Sequence, residues 1–411
     1  MKARCIAVLM VLSLFFNGQL FASGRSVGMA GAYTAVAKGA ESVFWNPANL
    51  GFSSRSEKKL NLFSFGININ NNSFNWNDYT KYNGKFLTAD NKETILNSIP
   101  SEGFNLKLNA DISALSFSWG NFAFTLSGQG SSDLFLPKDP IEVLFFGNEL
   151  NDTLVIENSD GEAYASLDIG FSYGRSIWKW DTKELFCGGS IRYKRGLVYQ
   201  KLKKTEGKLL TLETGINGEG DFAVKSAQGG KGYALDLGFA MKYKDCWTFG
   251  ISFSNLLNQI KWDKETEERG YRFRIDSLLA EDFDADSLVT ELSYTRKIDP
   301  FATNIPILMR LGVARQSKRF LWAFDLEQGF RQGMGVSKKL KASLGAEYRL
   351  LGWLDVLGGI SIGGGEGLTL ANGMGFNLGK YHLDVGMANH KGLWPTKSKG
   401  VGLAILSGFS W

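Results

Sequence analysis

The stretch "YALDLGFAMKY" alternates without a break. Tyr233, Leu235, Leu237, Phe239, Met241 and Tyr243 fall on one face; Ala234, Asp236, Gly238, Ala240 and Lys242 fall on the other. "YHLDVGMA" sets Tyr381, Leu383, Val385 and Met387 against His382, Asp384 and Gly386, and "FLWAFDLE" sets Phe320, Trp322, Phe324 and Leu326 against Ala323, Asp325 and Glu327. A period of two with one apolar face is the half-buried strand pattern. The polar face carries Asp168, Asp236, Arg310, Asp325, Glu327, Lys341, Glu347 and Asp384 among Gly and Ser. One motif recurs, as "LDIGF" at Leu167, "LDLGF" at Leu235 and "LDVGM" at Leu383. Two architectures accept this pattern. A soluble sandwich turns the apolar faces together; a transmembrane barrel turns them to lipid and the charges to its lumen.

The connections separate the two. The alternation predicts fourteen strands, near 59–69, 105–119, 121–130, 161–175, 184–203, 231–243, 246–262, 305–315, 319–328, 338–348, 353–363, 367–377, 380–389 and 400–410. Links after the even-numbered strands are short, while those after the first, third, fifth and seventh are long: 70–104, 131–160, 204–230 and 263–304. Short turns on one rim and long loops on the other is the outer-membrane arrangement, and strands of about ten residues suit a tilted span. Aromatics at 13%, with 49 Gly and 7 Pro, also favour an all-β chain. The expected fold is an all-β transmembrane antiparallel barrel of about fourteen strands.

The first residues read as a targeting segment. Lys2 and Arg4 precede the apolar run "IAVLMVLSLFF", and Ala22 is a plausible cleavage end, so 1–22 is expected to be a secretory signal peptide. The run is too short to span as a helix, and no later stretch approaches 18 apolar residues. The domain reading is signal peptide 1–22, N-terminal segment 23–57 and barrel 58–411. The expected location is the bacterial outer membrane, with the lipid bilayer as the first partner. Cys187 and Cys246 are too few and too far apart for a disulfide framework. The net charge of +5 comes from interspersed charges of both signs, so no nucleic-acid partner is expected.

No catalytic or metal constellation stands out. His382 and His390 are the only histidines. His382 falls on the lumen face, which does not suit a lipase at the lipid surface, and no Cys/His metal spacing exists. "GGGEG" at Gly363 lacks the Gly-Lys-Ser/Thr of a phosphate loop and reads as a hairpin turn. No cofactor is expected.

The long loops carry apolar residues. The first holds Phe74, Trp76, Tyr79, Tyr82 and Phe86, then a helix over "LTADNKETILNSIP" capped by Thr88. The second holds Leu134, Phe135, Leu136, Val143, Leu144, Phe145 and Phe146. Phe74, Trp76, Leu134, Phe135, Phe145 and Phe146 are candidates for an outer docking surface. The alternative is that they pack loop on loop and cap the barrel. The charged loop from Asp263 to Asn304 reads as a solvated cover.

The last stretch, "GVGLAILSGFSW", alternates and ends on Phe409 and Trp411. This resembles the signal by which outer-membrane barrels are recognised by the barrel-assembly machinery. Trp411 would sit in an interfacial aromatic girdle.

Gly24 to Phe52, "GRSVGMAGAYTAVAKGAESVFWNPANLGF", shows neither alternation nor a helical stripe. It is rich in Gly and Ala, which permit close approach to other backbone. Asn46 before Pro47 is a good helix start, and Leu50–Gly51 stops it after about one turn. The segment resembles the N-terminal hatch of FadL-type outer-membrane transporters, and more closely the PorV/PorQ branch of that superfamily. The matching residues are Gly24-Arg25, Gly28, Gly31-Ala32-Tyr33, Ala35 and Asn46-Pro47-Ala48, with Trp45 beside them. Lys38 and Gly39 stand where the family often has acidic residues, so no role of that pair carries over. The resemblance implies a hatch folded inside the lumen, and the residues themselves give no expectation of an enzyme. The resemblance also implies uptake of small hydrophobic molecules of the long-chain fatty-acid kind, which shift the hatch and leave sideways into the bilayer. Arg25, Lys38 and Glu41 are candidate hatch partners. Two other readings stay open: a PorV-like docking or shuttle barrel for secreted protein partners, and a structural surface barrel.

Overall fold

The computed structural model describes residues 23–54, 56–278 and 289–411; the expected signal peptide lies outside them. Eighteen strands are found among the described residues. The first eight are β1 (Lys58–Asn71), β2 (Phe104–Trp119), β3 (Phe122–Leu136), β4 (Thr153–Ile156), β5 (Asp160–Lys179), β6 (Lys183–Leu212), β7 (Gly215–Tyr243) and β8 (Trp247–Trp262). Then come β9 (Glu267–Leu278), β10 (Val289–Lys297), β11 (Phe301–Thr303), β12 (Leu308–Gln316) and β13 (Phe320–Gly329). The last five are β14 (Lys341–Leu351), β15 (Leu354–Gly363), β16 (Thr369–Leu378), β17 (Tyr381–His390) and β18 (Gly400–Ser410).

Fourteen of these form the wall. Antiparallel pairing runs from β1 through β2, β3, β5, β6, β7 and β8 to β12. It continues through β13 to β18, and β18 pairs back onto β1. Closure removes the open edges that a flat sheet of this size would expose. The last residue joins the seam: Trp411 N donates to Lys58 O at 3.0 Å.

The burial pattern is inverted relative to a water-soluble protein. Phe239 on the outer face is 44% exposed, whereas Asp236, three residues earlier and facing the lumen, is 3% exposed. Outward Phe, Leu, Ile and Val with inward charge is what a lipid-facing barrel requires.

One expected loop is not a loop. Residues 204–230 continue β6 and β7 as a hairpin that turns only at Glu213 and Thr214, paired without a gap from Gly207↔Gly220 to Leu212↔Gly215. "KLKKTEGK" is polar on both faces because the strand has left the bilayer, and lost amphipathicity imitates a loop. Two of the other long loops, 131–160 and 263–304, also contain strands. β4 pairs with β6, β9 with β7 and β10 with β9, extending this sheet beyond the wall, and β11 pairs with β8. The supposed charged cover is therefore partly sheet.

Candidate functional site

Residues 23–54 pack against the inward face of the wall. They open with α1 (Gly24–Gly28), fixed by a reciprocal cap: Ser23 Oγ accepts from Ser26 N at 3.2 Å and Ser26 Oγ accepts from Ser23 N at 3.0 Å. The chain reverses at Ala30 and Gly31; Gly31 has φ +87°, and a side chain there would meet nothing closer than Lys341 Nζ at 3.5 Å. Gly31 thus serves backbone conformation rather than the expected close approach. A four-residue helix, α2 (Ser42–Trp45), then leads to extended Asn46; it is too short to leave a stripe in the sequence. Asn46 Oδ1 accepts from Ala48 N at 3.1 Å and starts a 3₁₀ helix at Pro47, so the expected cap holds with a tighter helix than α.

The wall meets this segment with glycines. A Cβ on Gly386 would lie 2.1 Å from Gly24 O, one on Gly359 2.4 Å from the Met29 carbonyl carbon, and one on Gly345 2.7 Å from Met29 O. On the other side, Gly174 and Gly188 face Pro47, Gly238 and Gly250 face Asn46, and Gly312 faces Thr34. Gly373 lies against Gly28, whose own Cβ would come 3.1 Å from the Gly373 Cα. Several are cross-strand neighbours: Gly174↔Gly188↔Gly238, Gly250↔Gly312, Gly345↔Gly359 and Gly373↔Gly386. The result is an inner belt of bare peptide on which segment backbone rests directly. Any β-carbon at most of these positions would displace main-chain atoms.

Polar clamps hold the segment on the belt. Arg25 donates to Asp384 at 2.9 Å, Asp355 at 2.8 Å and Glu347 at 2.7 Å. Asp325 Oδ2 accepts from the backbone of Tyr33 and Thr34 at 3.1 and 2.8 Å. Asn46 Nδ2 donates to Phe239 O at 3.0 Å. Arg310 donates to Phe44 O at 3.2 Å and lies 4.8 Å over the Trp45 ring, which meets Tyr33 edge-on at 5.6 Å. Trp45 and Ala48 are buried. Glu41 is enclosed near Ser23 and Tyr33; burial pushes its carboxyl up, against hydrogen bonds from those two residues. Lys38 is exposed.

The repeated aspartates of "LDIGF", "LDLGF" and "LDVGM" now have a common role. Asp168 pairs with Lys194, Asp236 with Arg192 at 2.8 Å, and Asp384 with Arg25. Each is a buried carboxylate satisfied by a cation, as a charge facing a closed lumen requires. Above these pairs, Tyr164, Tyr199, Ile260, Trp262, Ile305, Leu308, Met334 and Val336 form an apolar cluster inside the mouth. Sequence reading missed it, because these residues come from four wall strands and two loops.

The six outer-loop candidates split into groups. Leu134 and Phe135 belong to strand β3, paired with Leu106 and Asn105, and are not loop residues; the strand outlasts its amphipathic part. Phe74 packs on Phe104 at 5.6 Å, and Trp76 opens helix α3 (Trp76–Tyr82) beside Tyr79, against the turn at Pro395–Lys397. Phe145 and Phe146 close α5 (Lys138–Phe146), tied to α4 (Ala89–Asn97) by Lys92 Nζ donating to Phe145 O at 2.7 Å. The most exposed apolar side chains on these loops are Phe86 and Leu144. Phe409 and Trp411 lie partly exposed at the end of β18.

The chain shares its fold with two solved structures. These are the toluene transporter TodX of P. putida (11% identity, 95% of this chain and 98% of that one, TM-score 0.52) and the toluene transporter TbuX of Ralstonia pickettii (13% identity, 95% and 97%, TM-score 0.51). No curated protein matches the chain. One family does match, over residues 47–222 and 211–387, most of the barrel. The chain therefore belongs to the family of unknown function DUF5723.

Proposed function

We propose that this protein is an outer-membrane barrel that takes up small hydrophobic molecules of the fatty-acid-like kind, with residues 23–57 as a hatch that shifts to admit them. The observation that carries the reading is the seating of the segment on the glycine belt, held by the Arg25 and Asp325 clamps. Such an insert can move without unmaking any wall hydrogen bond. The similar TodX and TbuX structures are both described as toluene transporters, which supports an apolar cargo. Ion pairs such as Arg192–Asp236 line the lumen, which favours a sideways exit through the wall over a path down the bore. In this reading residues 1–22 direct export, and Phe409 and Trp411 serve recognition by the assembly machinery. Purified protein in liposomes should take up a fluorescent fatty acid faster than empty liposomes; equal rates would refute the proposal.

A second reading is a PorV/PorQ-like docking or shuttle barrel for secreted proteins. It is favoured by the sheet of β4, β6, β7, β9 and β10 that stands beyond the wall and by the exposed Phe86 and Leu144. Pull-downs from intact envelopes should then recover secreted proteins, and recovery of none counts against it.

A further inference from the structure

The outward face of β6, β7 and β8 changes character along its length. Next to the short turns, Tyr243 pairs across the sheet with Trp247, whose ring meets Trp322 edge-on at 5.4 Å. Toward the other end of these strands Tyr193 pairs with Tyr233, both exposed. Tyr233 and Tyr243 stand ten residues apart on β7. At about 3.3 Å per residue and a tilt of about 40°, that is about 25 Å along the barrel axis. A lipid-facing apolar band is about this tall between its two aromatic girdles. The face between the girdles is apolar, with Ile191, Leu257 and Phe239 all exposed.

One step beyond the Tyr193–Tyr233 girdle, three cations stand side by side. Arg195 pairs with Lys231 and Lys231 with Lys261, so they fill one cross-strand row on three neighbouring strands. Each follows an outward residue by two positions, Tyr193, Tyr233 or Gln259, and therefore also points outward. Side chains directly opposite one another start about 5 Å apart at their β-carbons, and like charges there destabilise a sheet. Nothing in the chain offsets this. Among the described residues, none of the three has an ion pair, a side-chain hydrogen bond or a ring contact. Their inward neighbours differ, for Lys194 meets Asp168 and Arg192 meets Asp236. No acid continues the row on either side: Leu167 lies beside Arg195, and Ala302 beside Lys261. The compensating charge must come from outside the chain.

Position and charge together select its source. The row stands just past the apolar band, at the level of lipid headgroups. It lies on the rim away from the short turns, the outward side of an outer-membrane barrel. The phosphodiester of an ordinary phospholipid brings one negative charge. A phosphate monoester brings about −1.5 to −2, so a headgroup with two of them brings about −3 to −4, a match for three fixed cations.

We propose that the Arg195–Lys231–Lys261 row is the docking surface for a polyanionic glycolipid of the outer leaflet, whose sugar headgroup carries two or more phosphate or carboxylate groups. The headgroup lies across the three side chains, and its acyl chains run past Tyr193 and Tyr233 over Ile191, Leu235 and Leu257. The inference rests on the outer-membrane placement of the barrel but not on its cargo or on movement of the hatch.

The test uses delipidated full-length protein in detergent with EDTA, titrated with diphosphorylated lipid A and followed by native mass spectrometry. Monophosphorylated lipid A and phosphatidylglycerol are the comparison lipids, and both should bind more weakly. Lys231→Gln removes the middle cation and should bind diphosphorylated lipid A about tenfold more weakly than wild type, the scale of one charge-assisted contact. Lys318→Gln, on the exposed short turn between β12 and β13, should bind as wild type does. Without lipid, Lys231→Gln should lose its heat-modifiable gel migration at a temperature no lower than wild type, because a like-charge contact has gone. If Lys231→Gln does not fold, Lys261→Gln replaces it with the same expectations. Four results would each overturn the proposal and leave the outer-membrane reading standing: equal affinity in wild type and Lys231→Gln, an equal loss in Lys318→Gln, either comparison lipid binding as tightly as diphosphorylated lipid A, or a lipid-free Lys231→Gln barrel less stable than wild type. Failure of the wild-type barrel to insert into phosphatidylcholine vesicles would remove that reading and this proposal together.

Discussion

Replacing Arg25 with methionine keeps the side-chain length and removes its charge. In the native arrangement the guanidinium touches three carboxylates, and Asp355 and Asp384 have side chains only 2% exposed. Their remaining partners are few: Asn377 and Arg349 reach Asp355, at 2.8 and 3.4 Å. Breaking a buried ion pair from one side costs about 3–5 kcal/mol, because the partner charge stays behind unpaired. Because the segment carries Arg25 and the wall carries the acids, that cost falls on docking of the segment rather than on closure of the barrel. At about 1.4 kcal/mol per decade, the docking equilibrium shifts by roughly two to four orders of magnitude toward release. Single-channel recordings in planar bilayers read this as a rise in the frequency of large openings. Arg25→Lys, which offers a point charge in place of a three-way fork, should fall between wild type and Arg25→Met. If Arg25→Met folds as a heat-modifiable barrel yet opens no more often than wild type, then either the clamp does not hold the segment or the segment does not block the bore.

Two further outcomes are expected. Gly386→Leu places a β-carbon 2.1 Å from Gly24 O, so it should displace α1 and expose Arg25 to trypsin while the barrel remains folded; unchanged cleavage would count against the belt. Glu41 gives a pH dependence. Its carboxyl is raised above the ordinary value near 4.5 when the segment is docked, by burial first of all. The docked form therefore binds the proton more tightly, and docking weakens as pH rises through the window between the free and the raised values. Relative to wild type, Glu41→Gln should dock equally at pH 4 and more tightly at pH 8, read as fewer openings; a variant that opens as often as wild type at pH 8 removes Glu41 from the balance.

Much of the fold was legible because a wall strand advertises itself twice, by its period of two and by the short turn at one end. Thirteen of the fourteen expected strands begin within three residues of their place in the wall; the exception, expected at 231, begins at Gly215. It failed where the advertisement stops: β7 and its partner β6 continue past the bilayer with polar residues on both faces. Leu134 and Phe135 went astray for the same reason. The inner segment announced its need for close contact through Gly and Ala, but not what it touches. Arg25 finds its acids more than 300 residues away on β14, β15 and β17. A glycine in sequence looks the same whether it serves a turn, as at Gly363, or a close approach, as at Gly386. The belt exists only in the register between strands, which no single strand encodes.

The belt also fixes what a withdrawn segment would leave behind. Its peptide groups already pair with one another across the sheet, as at Gly345↔Gly359 and Gly373↔Gly386. Water entering there would find few unsatisfied amides to hydrate and little exposed grease to avoid. Fourteen strands about 4.8 Å apart and tilted by about 40° enclose a ring about 28 Å across between backbone centres. Side chains normally narrow such a ring, but on the belt there are none to do so. The narrowest gauge of the emptied lumen would then be set elsewhere, by the ion pairs and the aromatic cluster above, and sequence changes there would tune what passes without touching the seat.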